Sequence, residues 1–349
     1  MTALRYVLLL LGGLASTCGP AQDVRSSQLY ASPLTSNPAL TGVMRGSLRA
    51  TINYQQLYAT LSGTAGLGSA AVAVEGRLPI GQQNAMGIGL QVQQDRAYTT
   101  DYIRSQATVQ LSYQQGIGNG QFLSAGVQAG VGQRGYDINK LWFSNQYFVD
   151  PATRAAYLDQ RLPTGEPFGG SASQLYADLS AGLAYFAQFG DRRGVYGGVA
   201  AYHLSQPNVS PLPDRTDELY RRYVGFAGGE LPLGRDEMSF LPSVRVQQQG
   251  PSFSTMVGGA VRYTEQRWRE VALRAGVWTQ WTNQLEQTIG LGTLVTLFGL
   301  EYEDFLATIS YDIAVGAAQP ITASRGGYEI SIIYVRPNKQ RYRVECPTF

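Results

Sequence analysis

A serine and the one histidine of this chain lie close enough in sequence to suggest nucleophilic chemistry. His203 and Ser205 are two positions apart near the end of a strand-like stretch, so their side chains share one face. A Ser–His pair can act as nucleophile and base. The alternative is an interfacial histidine at a strand end, since two neighbours on one face rarely reach the geometry of a catalytic triad. We favour that alternative and expect no enzymatic activity.

Other chemistry-bearing patterns are weak. No His, Cys, Asp or Glu cluster in the sequence has the spacing of metal ligands. Gly-x-Gly runs such as Gly87-Ile88-Gly89 lie inside strand-like stretches, whereas phosphate-binding glycines precede a helix. We therefore expect neither a cofactor nor a metal.

The elements that position these residues are strands of apolar and polar alternation. In residues 48–55, one face carries Leu, Ala, Ile and Tyr, and the other carries Arg, Thr, Asn and Gln. Such stretches recur with turns between them, which predicts an all-β transmembrane antiparallel β-barrel of about 14 strands. The strands are expected near 47–59, 69–78, 85–97, 102–115, 121–136, 173–188, 193–205, 220–232, 237–248, 254–265, 268–281, 284–298, 301–315 and 325–336.

Individual strands allow the two faces to be assigned. In 121–132 the residues Leu123, Val127 and Val131 are predicted to face lipid and Gln128 to face the lumen. In 327–335 Tyr328 and its alternate neighbours face outward. The stretch 220–248 is ambiguous, because Pro232, Pro242 and Arg245 interrupt the pattern.

The ends of the chain indicate export. Residues 1–21 have a charged start, a short apolar core and small residues before Gln22, as in a signal peptide. A lipoprotein site at Cys18 is the weaker alternative, because Thr17 fits it poorly.

Residues 22–46 precede the barrel (47–336) and lie in the periplasm or dock in the lumen; a disordered leader is the other possibility. Residues 337–349 form a basic periplasmic tail, either merely solvated or contacting an acidic partner. The predicted location is a Gram-negative outer membrane.

Connection lengths fix the expected orientation. Short turns, including 79–84, 116–120, 190–192, 233–236, 266–267 and 299–300, alternate with longer connections such as 137–172, 206–219 and 316–324. Outer-membrane barrels have short periplasmic turns and longer extracellular loops, so both termini are expected in the periplasm.

Composition narrows the range of functions. Charged residues make up 15% of the chain, against about a quarter in soluble domains. The formal net charge of +2 lacks the concentrated basic face of a nucleic-acid binder, so no nucleic-acid partner is expected. A channel should carry rings of like charge at a constriction. The inward candidates are sparse and of mixed sign: Arg49, Asp178, Glu286 and Asp312.

Several segments carry a family resemblance. Gln28–Gly42 contains an aromatic-plus-Pro stretch that ends in Asn37-Pro38-Ala39 and Gly42, and the chain closes on Cys346-Pro347-Thr348-Phe349. Together with Thr51–Leu57, Met86–Leu90 and Tyr202–Pro207, in this order, they resemble the PorP/SprF family of type IX secretion outer-membrane proteins, known from Bacteroidetes. Leu57 and Thr348 depart from the family pattern. The Tyr202–Pro207 match gives His203 a structural explanation.

The resemblance implies a non-enzymatic component of the type IX system. Such proteins associate with secreted cargo that carries a C-terminal sorting domain, including gliding adhesins, and contact a periplasmic ring made of a lipoprotein and its partner. An outer-membrane diffusion channel for hydrophobic or oligosaccharide substrates is the alternative.

The long loop 137–172 is the candidate cargo surface, since exposed aromatic residues often anchor interfaces. An equal alternative is that these side chains fold the loop over the barrel mouth. They are Trp142, Phe143, Tyr147, Phe148, Tyr157 and Phe168.

Overall fold

The architecture was analysed in a computed structural model of the chain. It describes residues 23–28, 31–58, 66–98, 100–137, 141, 143–159, 161–165, 173–190, 192–210, 212, 216–234, 237–264, 271–283, 289–316 and 325–337.

Within these residues, strands run from one rim of a barrel to the other, with a small hairpin outside it. The hairpin consists of β6 (Tyr147–Val149) and β7 (Ala156–Leu158). The barrel strands are β1 (Gly46–Leu57), β2 (Leu67–Ile80), β3 (Asn84–Ala97), β4 (Tyr102–Gly118), β5 (Gln121–Gly135), β8 (Tyr176–Gly190), β9 (Arg193–Tyr202), β10 (Arg222–Pro232), β11 (Met238–Gln249), β12 (Ser252–Tyr263), β13 (Val271–Asn283), β14 (Ile289–Tyr302), β15 (Phe305–Ala314) and β16 (Arg325–Pro337).

Each barrel strand pairs antiparallel with its neighbours, and β1 pairs with β16, so the described strands close into a barrel. The expected number of strands and the antiparallel barrel are confirmed. Closure leaves no strand edge unpaired, which a lipid environment requires because it offers the backbone no hydrogen-bond partners. No helix among the described residues has the length and apolar character needed to cross a bilayer.

Side chains alternate between the two faces as predicted. Val127 is 57% exposed on the outer wall, whereas its neighbour Gln128 is 7% exposed in the lumen. The ambiguous stretch is also resolved, because Arg245 points inward and is buried. The ladder between β10 and β11 is interrupted beside Pro242, which has no N–H to donate.

The turns lie largely where the sequence placed them, with one correction. The predicted turn at 299–300 is wrong: β14 continues to Tyr302, and the turn is Glu303-Asp304, where Glu303 has a φ of 50°. Alternation persists through Leu300 and Tyr302, which face outward, so the strand gains lipid-facing side chains by continuing. The expected turn at 266–267 lies outside the described residues.

The interior holds both apolar clusters and buried polar side chains. Following the expected orientation, we call the rim with the short turns the periplasmic rim and the rim with the longer connections the extracellular rim. The largest of the apolar clusters lies towards the periplasmic rim. The cluster joins Ala39, Leu40 and Val43, which precede β1, to side chains of β5, β8, β9 and β10. Residues ahead of the first strand are therefore part of the barrel core.

Candidate functional site

The chain before β1 threads the lumen from one rim to the other. We call residues 23–28 and 31–45 the luminal segment. At its start, the Asp23 backbone N–H donates to Gln249 Oε1 at 3.0 Å, beside the extracellular end of β11. At its other end, Arg77 Nη1 donates to the carbonyl of Met44 at 3.0 Å near the periplasmic rim. The described residues of this segment lie inside the lumen.

The Asn37-Pro38-Ala39 motif anchors the middle of the luminal segment. Asn37 is fully buried, and its Nδ2 donates to the carbonyl oxygens of Leu183 at 3.1 Å and Val199 at 3.0 Å. Its Oδ1 accepts from the Ala39 N–H at 2.8 Å and so caps the short 3-10 turn that begins at Pro38. One side chain therefore ties the segment to two strands of the wall and fixes its own turn.

Two paired glycines make room for this motif. Gly126 on β5 faces Gly182 on β8, and both point into the lumen. A Cβ at Gly126 would collide with the Pro38 carbonyl, and one at Gly182 would collide with the Asn37 amide. The wall is bare backbone at the point where the motif lies.

The end of the luminal segment is held by an ion pair. The Gly42 N–H donates to Glu75 Oε2 at 2.6 Å, and Arg49 Nε pairs with Glu75 Oε1 at 2.7 Å. Gly42 has a φ of +69° and approaches the backbone of Gly87, so this position requires glycine. The predicted lumen residue Arg49 thus lies in the lumen as a support for the luminal segment.

Two carboxylates of the last strands hold the first turn of the luminal segment. Glu329 accepts from the Ser27 N–H at 2.6 Å and from Ser26 Oγ at 2.6 Å. Asp312, another predicted lumen residue, accepts from Ser27 Oγ at 2.5 Å. Asn53 Nδ2, on the adjacent strand β1, donates to Glu329 Oε1 at 2.7 Å. Buried carboxylates are favourable only with such partners.

At the extracellular end, Asp23 lies within a buried cluster of charges. It pairs with Arg104 Nη1 at 2.6 Å and with His203 Nε2 at 2.8 Å, while His203 Nδ1 contacts Asp178 at 2.8 Å. Burial raises the pKa of Asp23, but Arg104, His203 and Arg222 outweigh burial and hold it well below its ordinary value. Burial lowers the pKa of His203, but the carboxylates of Asp23 and Asp178 outweigh it and raise that pKa.

This arrangement differs from the interfacial position favoured for His203. The side chain is buried, and both ring nitrogens contact carboxylates. Ser205 Oγ contacts the Ala177 carbonyl at 3.3 Å and Asp178 Oδ1 at 3.4 Å. His203 therefore links Asp178 of the wall to Asp23 of the luminal segment. Among the described residues no group of three or more His, Cys, Asp and Glu side chains is placed to hold a metal ion.

The long extracellular connection forms its own hairpin. Tyr147 pairs with Leu158, and the rings of Phe148 and Tyr157 stack with centroids 5.8 Å apart. Tyr147 is 56% exposed and Tyr157 is 55% exposed. Phe143 is half-buried at the start of the hairpin. Ordered aromatic side chains thus face outward in the described part of this loop.

Some predicted residues lie outside the described part of the chain: Trp142, Phe168, Glu286, Cys346, Pro347 and Phe349. The sequence analysis also missed Asp23, Glu75, Arg104 and Glu329 as residues that hold the luminal segment. Glu75, Arg104 and Glu329 lie on strands. For these three, the available signal was a charged residue at an inward-facing position of an alternating strand.

A closed barrel with an apolar outer wall and a lumen filled by its own N-terminal segment defines an integral outer-membrane β-barrel protein. The chain belongs to the type IX secretion system membrane protein PorP/SprF family, whose match covers residues 19–334. No curated protein matches the sequence.

Solved outer-membrane barrels share the fold. The toluene transporter TodX of Pseudomonas putida has a TM-score of 0.50 and 10% identity, with 90% of this chain and 94% of that chain covered. The toluene transporter TbuX of Ralstonia pickettii has a TM-score of 0.47 and 11% identity, covering 92% and 96%. CdiB from Acinetobacter baumannii has a TM-score of 0.45 and 10% identity; 83% of this chain is covered, and it spans 60% of CdiB. At these identities the likeness concerns the fold alone.

Proposed function

We propose that this protein is a non-enzymatic anchor that holds exported cargo with a type IX C-terminal sorting domain at the cell surface. Gliding adhesins are one such class of cargo, and the periplasmic rim would contact the ring formed by a lipoprotein and its partner. Family membership indicates that the secretion system involved is the type IX system. The observation that carries the anchoring role is the lumen, which the luminal segment occupies along its whole height.

The contacts of the luminal segment support anchoring over conduction. Asn37, Gly42, Ser27 and Asp23 each bond to the barrel wall through buried partners at successive heights. A solute would have to displace these contacts together, and each buried polar group left unpaired costs about 1–3 kcal/mol. Such a lumen suits a rigid platform better than a diffusion path.

The extracellular hairpin supplies a surface for a protein partner. Tyr147 and Tyr157 are rigid aromatic side chains that already have an ordered backbone beneath them. Aromatic residues of this kind are enriched among residues that dominate binding energies. Pre-ordered side chains also lose less conformational entropy on binding.

The diffusion channel remains the second candidate, because the toluene transporter TodX shares the barrel fold. A channel would move its substrate through the lumen, so it requires release of the luminal segment. Conductance of the purified protein in a planar bilayer separates the two, since an anchor with a filled lumen predicts no steady current.

The test of anchoring combines Tyr147→Ser and Tyr157→Ser in one variant. Its matched control is Phe189→Ser, an exposed aromatic residue at the periplasmic end of β8. Barrel assembly is checked by heat-modifiability, and surface retention of a secreted protein with the sorting domain is measured on whole cells. Loss of retention only in the double variant supports the hairpin as the cargo surface. Normal retention in a deletion of residues 144–168 with an intact barrel removes the hairpin from the binding site.

A further inference from the structure

A cavity lies in the lumen between two stretches of the luminal segment, residues 23–26 and 32–36, and it extends from mid-barrel towards the extracellular end. It encloses about 70 Å³, which is room for a small charged group and a few waters. Residues from the luminal segment and from several strands line it, including Arg25, Thr108, Tyr202, Arg222 and Arg245.

The cavity wall is dominated by positive charge. Arg222 and Arg245 are close enough to repel each other. Asp23 is the one carboxylate among the described lining residues, and Arg104 already pairs with it at 2.6 Å. Repulsion between buried guanidinium groups is unfavourable unless an anion joins them.

Arg245 has the weakest compensation. Its Nη2 donates to the Ser26 carbonyl at 2.5 Å, and no carboxylate of the described chain lies within ion-pair distance of it. Glu329 and Asp312 act on it only from a greater distance. Its guanidinium charge is therefore only partly compensated, and it lies beside the open volume of the cavity.

Buried hydrogen-bond donors line the same cavity. Tyr202 is 2% exposed, and its hydroxyl has no hydrogen-bond partner among the described residues. Thr108 Oγ1 and Arg222 Nε are likewise buried with no hydrogen bond within that part of the chain, although Arg222 Nε lies 3.5 Å from Asp23 Oδ2. All three groups can donate, and a carboxylate only accepts. A ligand rich in acceptors would satisfy all of them.

We propose that this cavity binds a carboxylate presented by a polypeptide, either as an acidic side chain or as a chain end. The proposal rests on the proposed function, because it assigns the carboxylate to exported cargo at the same mouth of the barrel. Arg245 and Arg222 receive the carboxylate oxygens, and the Tyr202 hydroxyl donates to one of them. The glutamines around the cavity, such as Gln106 and Gln247, offer both donors and acceptors to the adjoining peptide groups.

The test uses the full-length protein in detergent micelles and two probes of similar size, acetyl-Gly-Glu-Gly-amide and acetyl-Gly-Gln-Gly-amide, of which only the first carries a carboxylate. The Glu probe is expected to bind at least tenfold more tightly by calorimetry. Arg245→Gln should weaken the Glu probe at least tenfold and leave the Gln probe unchanged. The matched control Arg262→Gln, at the periplasmic rim where Arg262 pairs with Glu301, should bind as the unaltered protein does.

A second variant guards against a folding effect, since Arg245 also holds the Ser26 carbonyl. Tyr202→Phe removes one hydroxyl only and should weaken the Glu probe about three- to tenfold. Equal binding of both probes, or binding of neither by a folded barrel, overturns the proposal. Inorganic sulfate that competes as well as the Glu probe overturns the polypeptide assignment. The failure of this proposal can be distinguished from the failure of the proposed function. If cells that carry Arg245→Gln still retain cargo at their surface, anchoring does not depend on this site.

Discussion

Asn37→Ala should loosen the luminal segment more than any other single-residue truncation within it. The change removes two donations to wall carbonyls and the cap of the 3-10 turn, and it leaves the Ala39 N–H without its acceptor. A lost cap costs about 1 kcal/mol, and a net hydrogen bond about 0.5–1.5 kcal/mol. The sum is about 2–4 kcal/mol, which raises the released population roughly 30- to 1000-fold.

Hydrogen–deuterium exchange of the purified protein measures this release, because protection reports the free energy of local opening. Asn37→Asp keeps the cap acceptor and replaces the two donations by a carboxylate oxygen that faces the two wall carbonyls, so it disrupts the wall contacts while the cap stays in place. Thr35→Ala is the control, since Thr35 Oγ1 bonds only to the Ser32 carbonyl within the segment. Wild-type protection of residues 38–43 in both Asn37 variants would refute the role assigned to this side chain.

Three further predictions follow from the wall, the charge cluster and the orientation. Val127→Arg should impair assembly in a heat-modifiability assay, because a cation near the lipid midplane costs about 2–4 kcal/mol, whereas Gln128→Arg should be mild; equal behaviour would contradict the register of β5. The raised pKa of His203 means that its stabilisation is complete below its unfolded pKa of about 6.5 and is lost as the pH rises through the folded pKa. Exchange protection at the start of the luminal segment should therefore fall in alkaline buffer, and His203→Gln should abolish that dependence. Protease outside whole cells should cut within 137–172 and spare an epitope after Phe349; a surface-exposed epitope would reverse the orientation.

The barrel was predictable from the sequence, because successive side chains of a strand point to opposite faces. One face contacts apolar lipid and the other a polar lumen, so the two faces require different residue types. Leu123, Val127 and Val131 alternate with small or polar residues, which is enough to assign each face. The turn at Glu303-Asp304 was not predicted correctly. Alternation determines which face each residue lies on, but it does not determine at which residue a strand ends to within a few positions.

The contents of the lumen were predictable only in part. The family resemblance pointed to Asn37, but its acceptors lie 146 and 162 positions away along the chain, and nothing local selects them. Gly126 and Gly182 read as ordinary wall glycines, although they form the surface on which the motif lies. His203 likewise meets Asp23 across 180 positions. Such pairings depend on barrel closure, which a local pattern does not encode.

Co-purification tests the central claim, that a barrel with a filled lumen holds exported cargo. The full-length protein would be isolated from its native membrane in mild detergent, and its partners identified by mass spectrometry. Anchoring predicts that the C-terminal sorting domain of a secreted protein is recovered with it in stoichiometric amount. Recovery of the protein alone, together with steady conductance in a planar bilayer, would contradict the account and favour a diffusion channel.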